Sequence, residues 1–405
     1  MKIAFLYAAY PPIPDGGAGF LHNLAKTLVR LGAEVSVVTT AQVASEYKNG
    51  TDGGIRVYPV MEDWVASLRN YRKLKNIFRQ IRPEVIHTIF PSSSVGSGYQ
   101  SPMLIKLAAS QPLVTTLYGF SFASGNLRTR LAILTLLHLS DRLLSDNDFV
   151  IGVLRRYLPY LREKLSYMPS GSNISNELRQ NSTQANLRAQ YNFDAGALYV
   201  CHFGYLDQTR NIASIFQAVK MQRDRGKDVR VIMIGGDPFQ NGRKRYEGLS
   251  ALINQLDLNP YITWTGFCDP QEVAHYLLCS DLCVLPFRRN TTGRSSLPAA
   301  LAFGLPVITT SRTKTLFSLR DHENVILVPP DDVPSLSAAI GELSDHPDLR
   351  LRLGEAAFTL WQEEFSFEVI GRKALSIYQI QIVTRYYYLE SQILRRVIYF
   401  DNTNI

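Results

Sequence analysis

The feature that most constrains the fold is a repeated alternation of short β-branched strand patterns with amphipathic helix patterns. The chain opens with the strand pattern KIAFLYA (Lys2–Ala8), a Pro- and Gly-rich loop, a helix pattern and a second strand, EVSVVTT (Glu34–Thr40). A helix between two neighbouring strands forms a βαβ unit, in which the strands are parallel. The alternation continues to about residue 169 and restarts after a polar stretch at 170–186. The sequence therefore predicts an α/β protein with two doubly wound, Rossmann-like domains.

Domain boundaries follow from the polar, turn-rich stretch and from a change of composition near the end of the chain. We predict an N-terminal domain over residues 1–172, a second domain over 173–368 and a terminal segment over 369–405. The terminal segment is rich in Tyr and is expected to form a long helix that crosses back onto the first domain. Its aromatic part, Tyr386–Phe400, is alternatively a dimer contact. Ligands bind at the carboxyl ends of parallel strands, so we expect a site in a cleft between the two domains.

Charge and cysteine usage narrow the class of protein. The 405 residues include 43 Lys and Arg against 35 Asp and Glu, a net charge of +8. The basic runs at Arg69–Arg82 and Arg155–Lys164 predict either solvated helix faces or a surface attracted to anionic lipid or an acidic polymer. No nucleic-acid-binding motif is found. Four cysteines without metal-ligand spacing indicate buried thiols in a reducing compartment.

Location follows from the apolar segments. The longest apolar runs are too short to span a bilayer, and the N-terminus lacks the pattern of a signal peptide. We therefore expect a cytoplasmic protein, with peripheral contact at the inner face of an anionic membrane left open.

A glycine-rich turn follows the first strand. In DGGAG (Asp15–Gly19), Gly16 and Gly17 stand between a strand and a helix N-terminus, where backbone N–H groups suit a phosphate or a sugar hydroxyl. A tight turn without a ligand is the alternative. The spacing matches neither the P-loop nor the dinucleotide fingerprint.

Two further loops carry candidate anion-binding residues. Tyr205 and Arg210 lie just past a strand end, where a guanidinium can bind a diphosphate or simply face solvent. The stretch TTGRSSLPAALAFGLPVITT opens a short helix with four residues suited to an anion. These four residues are Gly293, Arg294, Ser295 and Ser296. The alternative for this stretch is a plain Ser cap beside a solvent-facing Arg.

The histidines do not form a recognisable catalytic group. His22 and His87 lie nearest the first domain's loops, and His87 sits in the strand pattern EVIHTIF, where a structural role is at least as well supported as catalysis. No Ser-His-Asp or metal-ligand constellation is found.

Taken in order, these segments resemble the retaining group 1 glycosyltransferases of the GT-B fold (family 4). The resemblance covers roughly residues 1–365 and rests on the opening strand, glycine loop and helix, on RPEVIHT and VTTLYGFS, and on GYLDQTRNIASIFQAV, ITWTGF, SDLCVLPF and ALAFGLPVITT. It implies two Rossmann-like domains facing across a cleft, a nucleotide-diphosphate sugar as donor, and no cofactor or metal requirement.

The chain departs from the family pattern at several site positions. The family's Glu-x7-Glu pair reads Thr291 and Ala299, and a family His that often meets the sugar reads Tyr118. The family's diphosphate-binding Arg and Lys read Tyr205 and Arg210.

The resemblance also implies a role for each matching residue. Arg294, which is not standard in the family, stands where a lost cation needs replacement. The diphosphate would lie among Gly16, Gly17, Arg210, Arg294 and Ser295, with Tyr118 near the sugar and Phe267 near the base.

Three functions remain open on these residues. The first is a retaining glycosyltransferase with a nucleotide sugar, UDP being favoured, and a glycan, lipid-linked or small-molecule acceptor in polysaccharide or glycoconjugate biosynthesis. Because retaining members of this fold are thought to need no protein nucleophile, loss of the Glu pair need not abolish the chemistry. The second is a catalytically silent GT-B protein that binds a glycan, nucleotide or partner subunit. The third is a nucleotide-sugar epimerase.

Overall fold

The computed structural model describes residues 1–13, 15–90, 101–118, 127–206, 209–236, 243–288, 293–310 and 319–401. The chain divides into two compact units. Unit one comprises Met1–Pro169 together with Phe367–Ile405, and unit two comprises Ser170–Ser366. The chain thus passes between the units twice.

Unit one is built on an eight-stranded sheet in the order β3-β4-β2-β1-β5-β6-β7-β8, parallel except for the β3–β4 hairpin. Its strands are β1 Lys2–Leu6, β2 Glu34–Thr40, β3 Thr51–Asp52, β4 Ile55–Met61, β5 Val85–Phe90, β6 Leu113–Leu117, β7 Arg142–Ser145 and β8 Leu165–Tyr167. Its helices are α1 Gly16–Arg30, α2 Leu68–Ile81, α3 Ser101–Ala108, α4 Leu127–Leu139, α5 Asp148–Tyr157 and α14 Phe367–Asp401, with 3-10 turns at Ala41–Val43 and Pro159–Lys164.

Both faces of this sheet are covered, as a parallel sheet requires. One cluster joins β1 and β2 to α1 and α14, and a second joins the opposite face to α2 and α3. Helix α14 approaches α1 closely at Gly371, where an added Cβ would lie 2.8 Å from Thr27 Cγ2. The start of α14 is therefore an integral part of unit one's core, in which Ile370, Ala374 and Tyr378 are fully buried.

Unit two is built on a six-stranded parallel sheet in the order β11-β10-β9-β12-β13-β14. Its strands are β9 Leu198–Phe203, β10 Val229–Ile234, β11 Ile262–Gly266, β12 Leu282–Leu285, β13 Val307–Thr310 and β14 Ile326–Val328. Its helices are α6 Leu178–Asn181, α7 Gln184–Gln190, α8 Ile212–Arg223, α9 Arg243–Gln255, α10 Pro270–Cys279, α11 Ser296–Ala302, α12 Val333–Asp345 and α13 Pro347–Leu360; a 3-10 turn spans Asn259–Tyr261 and a π-helical turn Trp361–Phe365. The predicted α/β class with two Rossmann-like parallel sheets is confirmed.

The structure differs from the sequence prediction in short elements. The β3–β4 hairpin and β7 were not predicted, because β4 contains Pro59, which lowers the strand signal, and β7 is only four residues long. The polar stretch after residue 170 contains the short helices α6 and α7. The cysteines are free thiols, but Cys268 is half-buried rather than buried. Within the described ranges, no helix combines the length and apolar character that crossing a bilayer requires.

Candidate functional site

Three adjacent strands of the unit-two sheet end at glycine, so that part of the sheet's carboxyl edge is bare backbone. Strands β9, β10 and β11 are adjacent, and they end at Gly204, Gly235 and Gly266 with φ angles of +137°, +105° and +69°. A Cβ on Gly235 would lie 2.8 Å from the carbonyl oxygen of Gly204, so the ends of β9 and β10 pack too closely for a side chain at Gly235. Glycines of this kind allow a ligand to approach the backbone. Sequence reasoning missed this triplet, whose signal is one Gly at each strand end.

Arg210 is held at this edge by its own loop. Its backbone bridges that of Phe287, and the neighbouring Asn211 N–H donates to the Pro286 carbonyl at 2.9 Å. The Arg210 Nη1 group donates to the Phe203 carbonyl at 2.9 Å and to Ser296 Oγ at 3.3 Å. The guanidinium therefore lies across the end of β9. A Cβ at position 204 would lie 2.1 Å from Arg210 Nη1, so the guanidinium fills the space that a side chain at position 204 would need.

Arg294 lies in a different loop from Arg210, and both guanidinium groups contact the ring of Phe287. The guanidinium carbons of Arg294 and Arg210 lie 4.7 Å and 5.5 Å from the centroid of the Phe287 ring. Arg294 Nη2 also donates to Thr209 Oγ1 at 2.5 Å, beside Arg210 in the chain. Cation–π contacts hold both cations on a ring that is itself buried. Two positive groups are thus brought together at one strand edge, an arrangement suited to an anion with two charges.

The predicted residues around α11 fall at the same place. Gly293 has a φ of +74°, which favours glycine, and Ser296 is buried with its hydroxyl on Arg210. Ser295 precedes the helix in a helical conformation, and its side chain makes no capping hydrogen bond. The simple Ser-cap interpretation of this stretch is therefore not what the structure shows. Thr291 lies outside the described residues.

Ala299, which the resemblance matches to the family's second Glu, has a closed environment. Its exposed fraction is 0%, and every residue of α11 is buried. A carboxylate there would lose its hydration. The packing around position 299 therefore suits alanine and disfavours an acidic side chain.

Two predicted aromatic residues follow the strand ends of unit two. Phe267 directly follows β11 and is 62% exposed, and Tyr205 follows Gly204 and is exposed as well. Each presents a ring to solvent beside the bare glycine backbone, as a stacking surface for a planar ligand group would.

The glycine loop of unit one carries a carboxylate at its centre. Asp15 is the N-cap of α1, and its Oδ1 accepts from the Ala18 N–H at 2.9 Å and from the Tyr7 hydroxyl at 2.8 Å. Gly17 is required there, because a Cβ would lie 2.4 Å from the Tyr7 hydroxyl oxygen. The helix terminus is thus already compensated by a negative group, which makes this loop better suited to an uncharged hydroxyl than to a phosphate.

Tyr118 packs on the start of α1. A Cβ on Gly16 would lie at van der Waals distance, 3.5 Å, from the Tyr118 ring, and Phe20 stacks on that ring with centroids 5.6 Å apart. Tyr118 follows β6, so it shares the carboxyl edge of the sheet with Gly16 and Gly17. The predicted unit-one residues therefore lie together.

His87 has a structural role. Its Nδ1 lies 2.6 Å from the Tyr378 hydroxyl on α14, and its Nε2 lies 2.7 Å from Thr116 Oγ1 on β6. Full burial lowers the pKa of His87 to about 3, so the imidazole is neutral at neutral pH. The ring joins the terminal helix to the sheet.

His22 belongs to a second cluster, at the β3–β4 hairpin. Its Nε2 lies 2.8 Å from Asp52 Oδ2, which also accepts from the Tyr10 hydroxyl at 3.0 Å. Burial, and then the charge of Lys26, lower the pKa of His22. This cluster fixes the hairpin against the loop after β1. Among the described residues, no group of three or more His, Cys, Asp or Glu side chains has the arrangement of a metal site.

Two family models and several known proteins match this chain. A family model described as glycosyl transferases group 1 matches residues 183–359, and one described as glycosyltransferase family 4 matches residues 14–176. A D-inositol 3-phosphate glycosyltransferase of Streptomyces scabiei is 23% identical over 242 residues, which are 59% of this chain and 54% of that protein. The chain thus spans about half the length of the curated relatives it matches.

Solved structures show the same fold at low identity. A glycosyltransferase from Rickettsia africae matches with a TM-score of 0.76 and 17% identity, covering 94% of this chain and 98% of that one. The Anabaena HepE protein, crystallised with UDP and glucose, matches with a TM-score of 0.70 and 16% identity, covering 93% and 99%.

Proposed function

Because the chain belongs to the group 1 glycosyltransferases of the GT-B fold, we propose that it transfers a sugar from a nucleotide-diphosphate donor to an acceptor hydroxyl. The observation that carries this proposal is the convergence of Arg210 and Arg294 on the ring of Phe287, beside three strand ends that have no side chain. This edge offers two cations and open backbone to a diphosphate, the group that leaves in the reaction.

The reaction proposed is substitution with retention at the anomeric carbon. The bond from that carbon to the β-phosphate oxygen breaks, and the acceptor oxygen bonds to the same face of the sugar. The acceptor proton passes to the leaving phosphate oxygen, so no protein nucleophile is needed. Arg210 and Arg294 would stabilise the charge that develops on the diphosphate, and the Arg210 anchor on Phe203 and Ser296 fixes its position before the reaction.

The two aromatic residues after β9 and β11 are proposed to face the nucleotide. Phe267 would stack on the base, and Tyr205 would cover the diphosphate at the end of β9. UDP is the favoured nucleotide, since the structurally similar HepE protein was crystallised with UDP.

Unit one would bind neutral groups. With the Asp15 carboxylate capping α1, the Gly16–Gly17 backbone and Tyr118 suit sugar or acceptor hydroxyls rather than phosphate. The acceptor class proposed is a glycan, a lipid-linked glycan or a small polyol in glycoconjugate synthesis. Its small-molecule form is supported by the match to a D-inositol 3-phosphate glycosyltransferase; the hydroxyls of a phosphorylated polyol would contact this loop, and its phosphate would lie away from the Asp15 carboxylate.

The test is donor turnover by the purified chain. UDP release from UDP-sugars would be measured with glycan, lipid-linked and inositol phosphate acceptors, and the anomer of the product read by NMR. We expect retention of the anomer and a loss of about 10- to 100-fold in turnover for Arg210→Gln. Arg225→Gln is the matched control, because Arg225 is exposed beyond the far end of α8. Nucleotide binding without turnover of any donor would instead indicate a silent binding protein, which the closed environment of Ala299 motivates.

A further inference from the structure

The second basic run of the sequence forms a concave surface on unit one. Arg155 and Arg156 lie in the last turn of α5, and Arg162 lies in the following 3-10 turn, Pro159–Lys164. Together with Gly152 and Glu163 they line an open depression of about 740 Å³. All three arginines are exposed, and Glu163 is the one carboxylate among these lining residues. The depression is therefore predominantly cationic.

These arginines differ from the cations of the first basic run. On α2, Arg69 and Lys73 pair with Glu62 at 2.7 Å and 3.1 Å, so part of that charge is neutralised. Within the described ranges, Arg155, Arg156 and Arg162 form no ion pair; Arg162 Nε donates to the Arg155 carbonyl at 3.3 Å. Their charge is available to an external anion.

Large exposed aromatic side chains neighbour the lining residues along the chain. Tyr157 is 71% exposed and Tyr160 is 59% exposed, one on each side of Pro159, and the Arg156 guanidinium lies 5.9 Å from the Tyr157 ring centroid. Phe149 is exposed at the start of α5, and it shares a helix face with Gly152 and Arg156 at spacings of three and four residues. Exposed rings interleaved with arginines are typical of surfaces that lie in the interface of a bilayer.

Gly152, one of the lining residues, adds no side chain to the depression. It lies inside α5, where glycine is less favourable than alanine, and an added Cβ would meet no atom within 4 Å. Packing therefore does not require a glycine here. Bare backbone at this position does allow a head group to approach α5 between the arginines.

We propose that this surface, formed by Phe149, Gly152, Arg155, Arg156, Tyr157, Tyr160 and Arg162, docks the protein on an anionic lipid bilayer. The arginines bind head-group phosphates in and around the depression, and the three aromatic rings enter the interface. The presence of both arginines and exposed aromatic rings favours a bilayer over a soluble anion, because a soluble anion would bind the arginines and leave the rings in water.

The experiment is co-sedimentation of the full chain with vesicles of phosphatidylcholine alone or with 30% phosphatidylglycerol, at about 0.1 M salt. Each cation near an anionic surface contributes about fivefold to binding. The triple variant Arg155→Gln, Arg156→Gln, Arg162→Gln is therefore expected to lower the partition coefficient about a hundredfold. The matched control is Arg69→Gln, Arg72→Gln, Arg79→Gln on α2, which removes the same charge and is expected to change binding less than threefold.

A second variant separates the aromatic contribution from charge. Tyr157→Ser with Tyr160→Ser keeps the net charge and is expected to lower binding to the anionic vesicles at least fivefold, with thermal unfolding unchanged. Equal loss in both triple variants would overturn the proposal, as would equal binding to neutral vesicles. So would absence of vesicle binding with stabilisation by inorganic phosphate, which would assign the arginines to a soluble anion. A dimer dissociated by the Tyr157 and Tyr160 changes would assign the surface to a second copy.

Discussion

The close contact between Gly204 and Arg210 gives the sharpest prediction about the site. A Cβ at position 204 would lie 2.1 Å from Arg210 Nη1, whereas non-bonded atoms settle near 3.5 Å. Gly204→Ala must therefore displace the guanidinium by about 1.4 Å or more. A hydrogen bond to a charged group contributes about 1.5–3 kcal/mol, so loss of the diphosphate contact should raise the Kd for UDP about 10- to 100-fold.

Two controls separate this effect from backbone strain. Gly204 has a φ of +137°, so alanine there is also strained and lowers the free energy of unfolding by about 1–3 kcal/mol. Gly226, with a φ of +82°, has no atom within 4 Å of an added Cβ, so Gly226→Ala should cost stability without changing the Kd.

The second control is a double-mutant cycle measured by calorimetric titration with UDP. In an Arg210→Gln background, Gly204→Ala should change the Kd less than twofold. A tenfold loss in both backgrounds would refute the displacement argument.

Three further predictions concern stability. Ala299→Glu places a carboxylate in a fully buried position and should lower the free energy of unfolding by about 3 kcal/mol, measured by urea denaturation. Gly17→Ala should cost about 1–3 kcal/mol because its Cβ meets the Tyr7 hydroxyl at 2.4 Å, whereas Gly16→Ala should be nearly neutral. Burial lowers the pKa of His87 to about 3, against about 6.5 in the unfolded chain. The unfolded chain therefore binds the proton first, so the stability that the neutral His87 supports above pH 6.5 is lost as pH falls from 6.5 towards 3, with about 2 kcal/mol already lost at pH 5.

Each stability prediction has an outcome that contradicts it. Unchanged stability of Ala299→Glu together with tighter UDP binding would show that the site still accepts a carboxylate at this position. Equal costs for the Gly16 and Gly17 variants would show that the Tyr7 contact is not limiting. For the pH effect, a His87→Leu variant should unfold with a shallower pH dependence between pH 6.5 and 4, and an unchanged slope would assign the effect to other groups.

The fold class could be predicted from the sequence because two patterns alternate along the chain. These are the helical spacing of hydrophobic residues and the β-branched composition of strands. Strand β2 was predicted with the bounds that the structure has. The β3–β4 hairpin was missed because its pairing is antiparallel and local, and because Pro59 weakens the β4 pattern.

For the site, the sequence predicted which residues bind an anion but not which residues they contact. Arg210 and Arg294 were predicted as anion-binding residues from their loops, yet their shared contact with Phe287 depends on pairing between residues more than 70 positions apart. The three strand-end glycines were each visible in the sequence. Their alignment depends on the strand order β11-β10-β9, which no local pattern encodes.

The most direct test of the central claim compares nucleotides that differ in their phosphates. Thermal stabilisation and Kd would be measured for UDP, GDP, ADP and dTDP, and for the nucleoside of the preferred base, with wild type and Arg294→Gln. We predict that one diphosphate binds best, and that Arg294→Gln weakens its binding about tenfold while leaving binding of the nucleoside unchanged. A flat response to all four diphosphates, or equal loss for nucleoside and diphosphate, would contradict the assignment of Arg210 and Arg294 to the leaving group.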